Sequence, residues 1–337
     1  MTSNARELAQ IPSTPSGRRN LIINGAMQVA QRGTSFSSNA SIYTLDRMRR
    51  AGTSLATAVF STEQSTDSPE GFSNSYKVTT STVEGSVGAD DISYGLVHKI
   101  EAQDLQHLGY STSSAKSVTV SFYVKSNTTG TYVLSLYNAD NARSVGKTYA
   151  ISSANTWEYK TLTFAGDTTD GFNNDNGSGL ELYFITGAGG NYTSGDLHAT
   201  WADYAAANFS GGQSVQLQNT LNATWQITGV QLEVGSVATE FENRSFGEEL
   251  ALCQRYFQSM SAAVGRSASS TGTPFGSVDL RPYMRAQPSA TRLGNSVSSN
   301  EAGSTITPSF SGNVQRVFYF NDTNTAAGGL FNLDAEL

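Results

Sequence analysis

The stretch WQITGVQLEVGSVATEFENRSFGEELALCQRYF, residues 225–257, decides the fold, because a sheet-forming strand runs into a capped helix with almost nothing between them. Trp225, Ile227, Gly229 and Gln231 alternate with Gln226, Thr228, Val230 and Leu232. That two-residue period in β-favouring residues suits a strand covered at least partly on both faces. Gly235 stops it. Ser245 and Glu248 then form a capping box, in which the Ser hydroxyl accepts from the Glu248 amide and the carboxylate reaches back to the Ser245 amide. Leu250, Cys253, Phe257 and Met260, with Leu252 and Tyr256 beside them, recur at three- and four-residue steps, so the spacing predicts a helix over 246–260.

Working back from that strand, β signals recur at sandwich-like spacing: 55–60, 76–80, 94–102, 118–124, 132–137, 158–164 and 180–185, then 224–234. Val118, Val120, Phe122 and Val124 alternate with Thr119, Ser121, Tyr123 and Lys125, as when one face meets a core. Asn127-Thr128-Thr129-Gly130 then turns the chain towards Tyr132, Leu134 and Leu136, which predicts a hairpin. No helical pattern separates these strands, which disfavours a parallel α/β design. The expected class is mainly β: an antiparallel β-sandwich of jelly-roll type, one amphipathic helix after it, and a small β-rich C-terminal tip. In the tip, segments 276–280, 305–310, 314–320 and 328–333 are separated by Gly/Ser/Thr turns. Only Val314–Phe320 is densely apolar, so the tip is expected to complete its core against the sandwich or across a trimer axis.

At 337 residues the chain can bury roughly three quarters of its unfolded surface and needs no disulfide or metal for stability. Charged residues make up only 15%, with a net charge of -7, and no basic stripe exists beyond Arg47, Arg49 and Arg50; a phosphate-backbone partner is therefore not expected. Cys253, the single cysteine, reads as a small core residue on the helix stripe. Met1 is followed by no apolar run, so neither a signal peptide nor membrane insertion is expected, and assembly is assigned to a cytoplasm. Ser3 or Asn4 can cap a short helix through Leu8 and Ile11 that Pro12 ends, which reads either as an attachment peptide or as a frayed terminus.

Reaction chemistry finds little support. His98, His107 and His198 have no zinc-binding spacing, and His98, inside YGLVHKIEA, reads as a paired structural residue. There is no nucleophile elbow in a strand-to-helix context and no phosphate loop. Glycoside hydrolysis needs two carboxylates flanking one sugar. Asp90-Asp91 and Glu248-Glu249 are adjacent pairs whose members point apart, and Glu248 is used by the cap; Glu181, Asp196 and Asp203 could converge from loops. Asp170, Asn173 and Asp175 in DGFNNDNGSG offer either a calcium loop or a solvated turn, with the turn preferred. No metal, no cofactor and no catalytic residue is assigned.

Sugar binding is the chemistry these residues can supply. GAGGNYTSGDLHATWADYAAANFSGG, residues 187–212, is a long loop rich in glycine and aromatic residues. Aromatic faces suit the apolar side of a pyranose, and short amides, carboxylates and hydroxyls suit its rim. Tyr192, Trp201 and Tyr204 with Asn191, Asp196 and Asp203 provide both, although Trp201 and Phe209 could simply pin the loop to the sandwich. Trp157 and Tyr159 read as core or sheet-surface residues.

Three segments carry a family resemblance: NLIINGAMQVAQRG at 20–33, YTLDR at 43–47 and GVQLEVGSVATEFENRSFGEELALCQRYF at 229–257. Together they resemble a recurrent module of bacteriophage tail fibres and other virion appendages, especially in phages of aquatic and marine bacteria. The family continues LDR with Trp where this chain has Met48, and PYMRAQPSAT at 282–291 resembles the element that follows its helix. The resemblance implies a carbohydrate-binding-module-like jelly roll on a virion fibre, usually trimeric, bound to other virion proteins and to host surface polysaccharide. The strand-to-helix join and the composition along the chain divide it into an attachment peptide and linker at 1–33, the jelly roll at 34–244, the helix at 245–260 and the tip at 261–337. Arg6, Leu8, Ile11, Leu21 and Ile23 are then the expected virion-attachment residues. Fibres of this kind sometimes degrade polysaccharide; a non-enzymatic binder is the reading adopted, with a depolymerase and a ligand-free capsid-decorating protein as alternatives.

Overall fold

The computed structural model describes residues 18–264, 275–280, 282–295, 305–311, 314–320 and 327–337. Alternation builds two antiparallel sheets. The six-stranded sheet comprises β1 (Ser35–Ser38), β4 (Val59–Ser65), β5 (Ser75–Thr82), β7 (Val118–Ser126), β10 (Glu158–Phe164) and β13 (Thr224–Val234), in the order β1-β4-β5-β13-β7-β10. The seven-stranded sheet comprises β2 (Ile42–Tyr43), β3 (Arg49–Thr53), β6 (Ile92–Glu101), β8 (Gly130–Asn138), β9 (Arg143–Ile151), β11 (Ser178–Ala188) and β12 (Ala202–Asp203), in the order β12-β9-β8-β11-β6-β3-β2. Their inner faces close over Phe122, Phe184, Trp225 and Tyr149, with Phe122 edge-on to Phe184 and to Tyr149 at 5.2 Å each. This is a mainly β antiparallel sandwich, and the chain passes repeatedly from one sheet to the other. Among the described residues no helix is long and apolar enough to cross a membrane.

The expected hairpin between 118–124 and 132–137 does not form. Both edges of β7 are taken by β13 and β10, while β8 pairs with β9 and β11, so the turn at 127–129 carries the chain between sheets. Tyr132 locks this corner: its hydroxyl, inside the core, donates to the Thr128 carbonyl at 2.7 Å and shares a 3.0 Å bond with the Ser126 hydroxyl. Strand β9 went unread because Gly146, Lys147 and Thr148 interrupt its apolar run, yet Val145, Tyr149 and Ile151 face the core.

The helix starts as expected. Ser245 accepts from the Glu248 amide at 3.3 Å, and Glu248 accepts from the Ser245 amide at 2.9 Å. It ends at Gln254, not 260, and Phe257 begins β14 (Phe257–Val264). The cause is tertiary: Arg255 forks onto Glu101 at 2.8 and 2.7 Å and the Tyr256 hydroxyl donates to the same carboxylate at 2.6 Å, pulling the chain onto the end of β6. Cys253 is fully buried and burial pushes its thiol pKa up, in keeping with a core role.

Residues 20–33, expected to belong to the attachment peptide and linker, pack against the sandwich and the helix. Asn20 bonds the β13 backbone at Val230 and Leu232, Asn24 bridges the carbonyls of Val29 and Asp46 at 2.9 Å each, and Ile23 packs with Val29, Cys253 and Tyr256. The boundary expected at 33/34 therefore falls inside one packed unit. Of the expected virion-attachment residues, Ile23 is buried with Val29, Cys253 and Tyr256 and Leu21 is partly buried against the main core; Arg6, Leu8 and Ile11 lie outside the described residues.

The tip forms two three-stranded antiparallel sheets: β14 with β19 (Ala327–Asp334) and β16 (Ser289–Asn295), and β18 (Val314–Phe320) between β15 (Phe275–Asp279) and β17 (Thr305–Ser311). Its end returns to the sandwich. Leu333 is fully buried, Ala335 donates to the Tyr256 carbonyl at 2.8 Å, and Glu336 pairs with Arg32 and with Arg47, whose guanidinium lies 3.5 Å from the Tyr256 ring centre. Arg47 and Arg50 are each 1% exposed, so this basic trio forms no surface patch. Met48, where the resembled family has Trp, is buried in the sandwich core.

Candidate functional site

The segment LELYFITGA, residues 180–188, sorts its side chains by parity. Leu180, Leu182 and Phe184 enter the core, while Glu181, Tyr183 and Ile185 face outward from the seven-stranded sheet. Neighbouring strands add Tyr137 from β8 and Tyr94 from β6. Tyr94 and Tyr183 have ring centres 4.9 Å apart, Tyr137 and Tyr183 6.5 Å, and Tyr137 and Tyr204 5.6 Å. Tyr192 packs against the same cluster. Five tyrosines from three strands and one loop thus share one outer face.

The long loop walls this face. Phe209 is buried on it, 5.4 Å from Tyr183, and its carbonyl accepts from Ser135 at 2.7 Å. Leu197 lies against Gly146, where a Cβ would come within 2.6 Å of its side chain, so glycine there lets the loop seat. Of the six sugar-binding residues expected from sequence, the fold brings Tyr192 and Tyr204 onto the tyrosine face. Trp201 does not join them: it is buried, donates its indole N–H to the Ala165 carbonyl at 2.9 Å and meets Tyr110 edge-on at 5.8 Å. Asp203 binds Arg143 at 2.8 Å and Asn191 donates to Asp90 at 2.6 Å, so both groups hold the loop; Asp196 is exposed on it. Trp201 is a pinning residue because its indole is buried and its N–H is satisfied by the sandwich, whereas the Asp203 side chain is exposed and makes one surface ion pair to Arg143.

Sequence reading missed Tyr94, Tyr137 and Tyr183. The available signal was the parity of aromatic residues against the core positions of their own strands, which needs the inward face to be assigned first. At one end of the face Glu181 accepts from Ser178 at 2.7 Å, from Lys99 at 2.9 Å and from the Tyr183 hydroxyl. Burial, then the Glu181 charge, raises the pKa of Tyr183 and of Tyr137; burial, then Tyr204 and Tyr192, raises that of Tyr94. These phenols therefore stay protonated; the Tyr183 O–H is given to Glu181, which leaves its oxygen to accept, while Tyr94 and Tyr137 keep their O–H groups as donors.

The three carboxylates that could have converged do not share one partner set, since Glu181 is held by Lys99 and Asp203 by Arg143. In the DGFNNDNGSG segment Asn173 bonds Asp140, Asp170 faces Arg143 at 3.4 Å and Asp175 accepts from the Gly177 amide, the pattern of a turn. Among the described residues no group of three or more His, Cys, Asp or Glu could hold a metal ion. His98 is 1% exposed beside Arg47, and burial followed by the Arg47 charge pushes its pKa well below the ordinary value.

Comparison with known proteins found no matching family, and no curated protein matches the sequence. Among solved structures, the chain is similar to the enzymatically active domain of bacteriophage CBA120 tailspike protein 4 at 12% identity, over 64% of this chain and 21% of that one, with a TM-score of 0.32. A CBM4 structure overlaps 63% of this chain and 97% of its own at 9% identity and a TM-score of 0.31. The family 11 carbohydrate-binding module of a Clostridium thermocellum cellulosomal cellulase overlaps 67% and 100% at 10% identity and a TM-score of 0.28. This chain spans about a fifth of the tailspike chain. These are loose overlaps, and the sandwich is defined by the strand pairings of the chain itself.

Proposed function

We propose that this protein is a non-catalytic, glycan-binding component of a virion appendage, a tail or head fibre, that engages host surface polysaccharide through the tyrosine face. The observation that carries the binding reading is the set of five tyrosines on one outer sheet face, walled by a pinned loop and ended by Glu181 and Lys99. Rings at these separations offer stacking platforms to successive sugars, and the neutral phenols, the carboxylate and the ammonium supply oriented donors and acceptors. Trimeric assembly would multiply weak contacts by avidity.

The virion reading rests on the resemblance of residues 20–33, 43–47 and 229–257. These segments meet in space: Asn20 on the β13 backbone, Asn24 on Asp46, Arg47 over Tyr256. They form the weld between sandwich, helix and tip, while the tyrosines lie outside them. The shared element is thus a joint, and the ligand face is this chain's own. Location on the particle, with assembly in the host cytoplasm, is part of the same proposal.

Tyr183→Ala or Tyr204→Ala should weaken binding to a glycan array printed with host surface polysaccharides by roughly tenfold or more, the size expected of a central aromatic contact. Binding unchanged by both substitutions rejects the site. Release of reducing ends from the same polysaccharides favours the depolymerase alternative. Antibody labelling confined to the capsid, with no glycan bound, favours a decorating protein.

A further inference from the structure

The opposite face of the sandwich carries a cleft that the reading above does not use. It is lined by Phe72, Tyr123, Tyr159, Gly229, Thr239 and Phe241, on the outer side of the six-stranded sheet, and offers about 360 Å³ of space open to solvent on one side. Cavities of roughly 300–1,000 Å³ hold small organic ligands, so a sugar unit fits. Cross-strand register builds the aromatic floor: Tyr159 on β10 is opposite Tyr123 on β7, with ring centres 4.9 Å apart. Phe72 lies 5.6 Å from Tyr123 and 5.1 Å from Phe241, closing one wall. Gly229 makes room for that wall, since its φ is +61° and a Cβ would come within 2.6 Å of the Phe72 ring.

Tyr159 is 48% exposed, so the described chain leaves that end of the platform open. Trp157, two residues earlier on the same outward face, extends it; its indole N–H reaches Asp67 at 3.3 Å and Lys125 lies over its ring at 5.2 Å. Around the cleft the polar groups are Ser121, Thr239 and the exposed Glu240, and the lining contains no cation. The nearby Arg19 is turned to Glu233 and to the Glu240 carbonyl, and Lys125 to Asp67. Aromatic rings with hydroxyls and a carboxylate, and no free positive charge, match a neutral sugar and reject an anionic one.

We infer that the outer face of the six-stranded sheet is a second carbohydrate site, separate from the tyrosine face and selective for a neutral hexopyranose unit. It extends the glycan-binding reading but stands on its own residues. The two sites lie on opposite sides of a sandwich whose core alone is about 10 Å thick, so one protein would hold two glycan strands.

The test is native affinity electrophoresis in gels containing soluble β-glucan, xylan or galactomannan, using the full chain, Tyr159→Ala, Tyr183→Ala and the double variant. Tyr159 is half exposed, so its replacement leaves the fold intact. The expected result with at least one glycan is a threefold or larger loss of retardation for Tyr159→Ala, with the remainder lost in the double variant. Bound glycan should also shield Trp157 from acrylamide quenching, since Trp225 is fully buried and Trp201 only 9% exposed. Wild-type retardation by Tyr159→Ala, with retardation abolished by Tyr183→Ala, overturns this inference and leaves the tyrosine face standing. The reverse pattern removes the tyrosine face and leaves the cleft as the site. No retardation of the full chain by any of the three glycans overturns the neutral-sugar inference. A Tyr159→Ala variant that changes mass by light scattering but not retardation makes the cleft a contact between copies, and also overturns it.

Discussion

The two outer faces of the sandwich obey the same rule and end up different. On each, the two-residue period of a strand sends aromatic residues outward opposite the core positions: Tyr183 and Tyr137 on the seven-stranded sheet, Tyr123 and Tyr159 on the six-stranded one. What separates them is the cover. A loop of more than twenty residues, pinned by Trp201 and Phe209, walls the first face and leaves Tyr204 at its rim. The second is bordered only by short segments around Phe72 and Phe241, so Tyr159 stands open. Strand parity decides which residues are available for binding, and the connections between strands decide the shape and charge they are given.

The sharpest way to break this comparison is to unpin the wall. Trp201→Ala removes a buried indole and its hydrogen bond, which should cost about 3–5 kcal/mol in denaturant unfolding. It should loosen glycan binding at Tyr204 while leaving the open face at Tyr159 unchanged in the folded fraction; equal loss at both faces would show that the loop does not individualise them. Gly229→Ala acts on the other side. A methyl group at φ +61° that must also displace Phe72 should cost about 1–2 kcal/mol and distort the open cleft, with binding at the tyrosine face intact. Stability measured alongside quenching of Trp157 separates these two effects.

The smallest effect uses pH. His98 sits in β6 of the seven-stranded sheet, and its folded pKa is below the unfolded value near 6.5. Below that pH the unfolded chain binds a proton that the folded chain refuses. Stability should therefore hold above about 6.5 and fall as the pH drops towards 5, with a limiting slope of about 1.4 kcal/mol per pH unit for this group. His107, also lowered by partial burial, adds in the same direction. In His98→Leu the slope between pH 7 and 5 should flatten; an unchanged slope in thermal melts would remove His98 as the cause.

Much of the sandwich could be read directly because its strands alternate cleanly. Glu158–Phe164 and Thr224–Val234 have the expected bounds, and the capping box placed the helix start. Strand β9 escaped notice because Lys147 occupies an inward position between Val145 and Tyr149 and breaks the apolar alternation. The helix end escaped because Leu250, Cys253, Phe257 and Met260 satisfy a helical spacing that the pull of Glu101 on Arg255 and Tyr256 overrides. The loop at 187–212 was read by its composition, which grouped Tyr192 and Tyr204 with the pinning Trp201 and the ion-paired Asp203, since the same residue types serve different purposes.

Local chemistry, written in consecutive residues, was enough to determine the β class, most strand positions and the Ser245–Glu248 cap. Which strands became neighbours, that residues 20–33 close a joint with Arg47 and Glu336, and that tyrosines from β6, β8 and β11 meet Tyr204 were decided only in three dimensions. Hydrophobic period is a property of a few adjacent residues, whereas partner choice is a competition among distant edges and buried charges that settles only when the whole core closes.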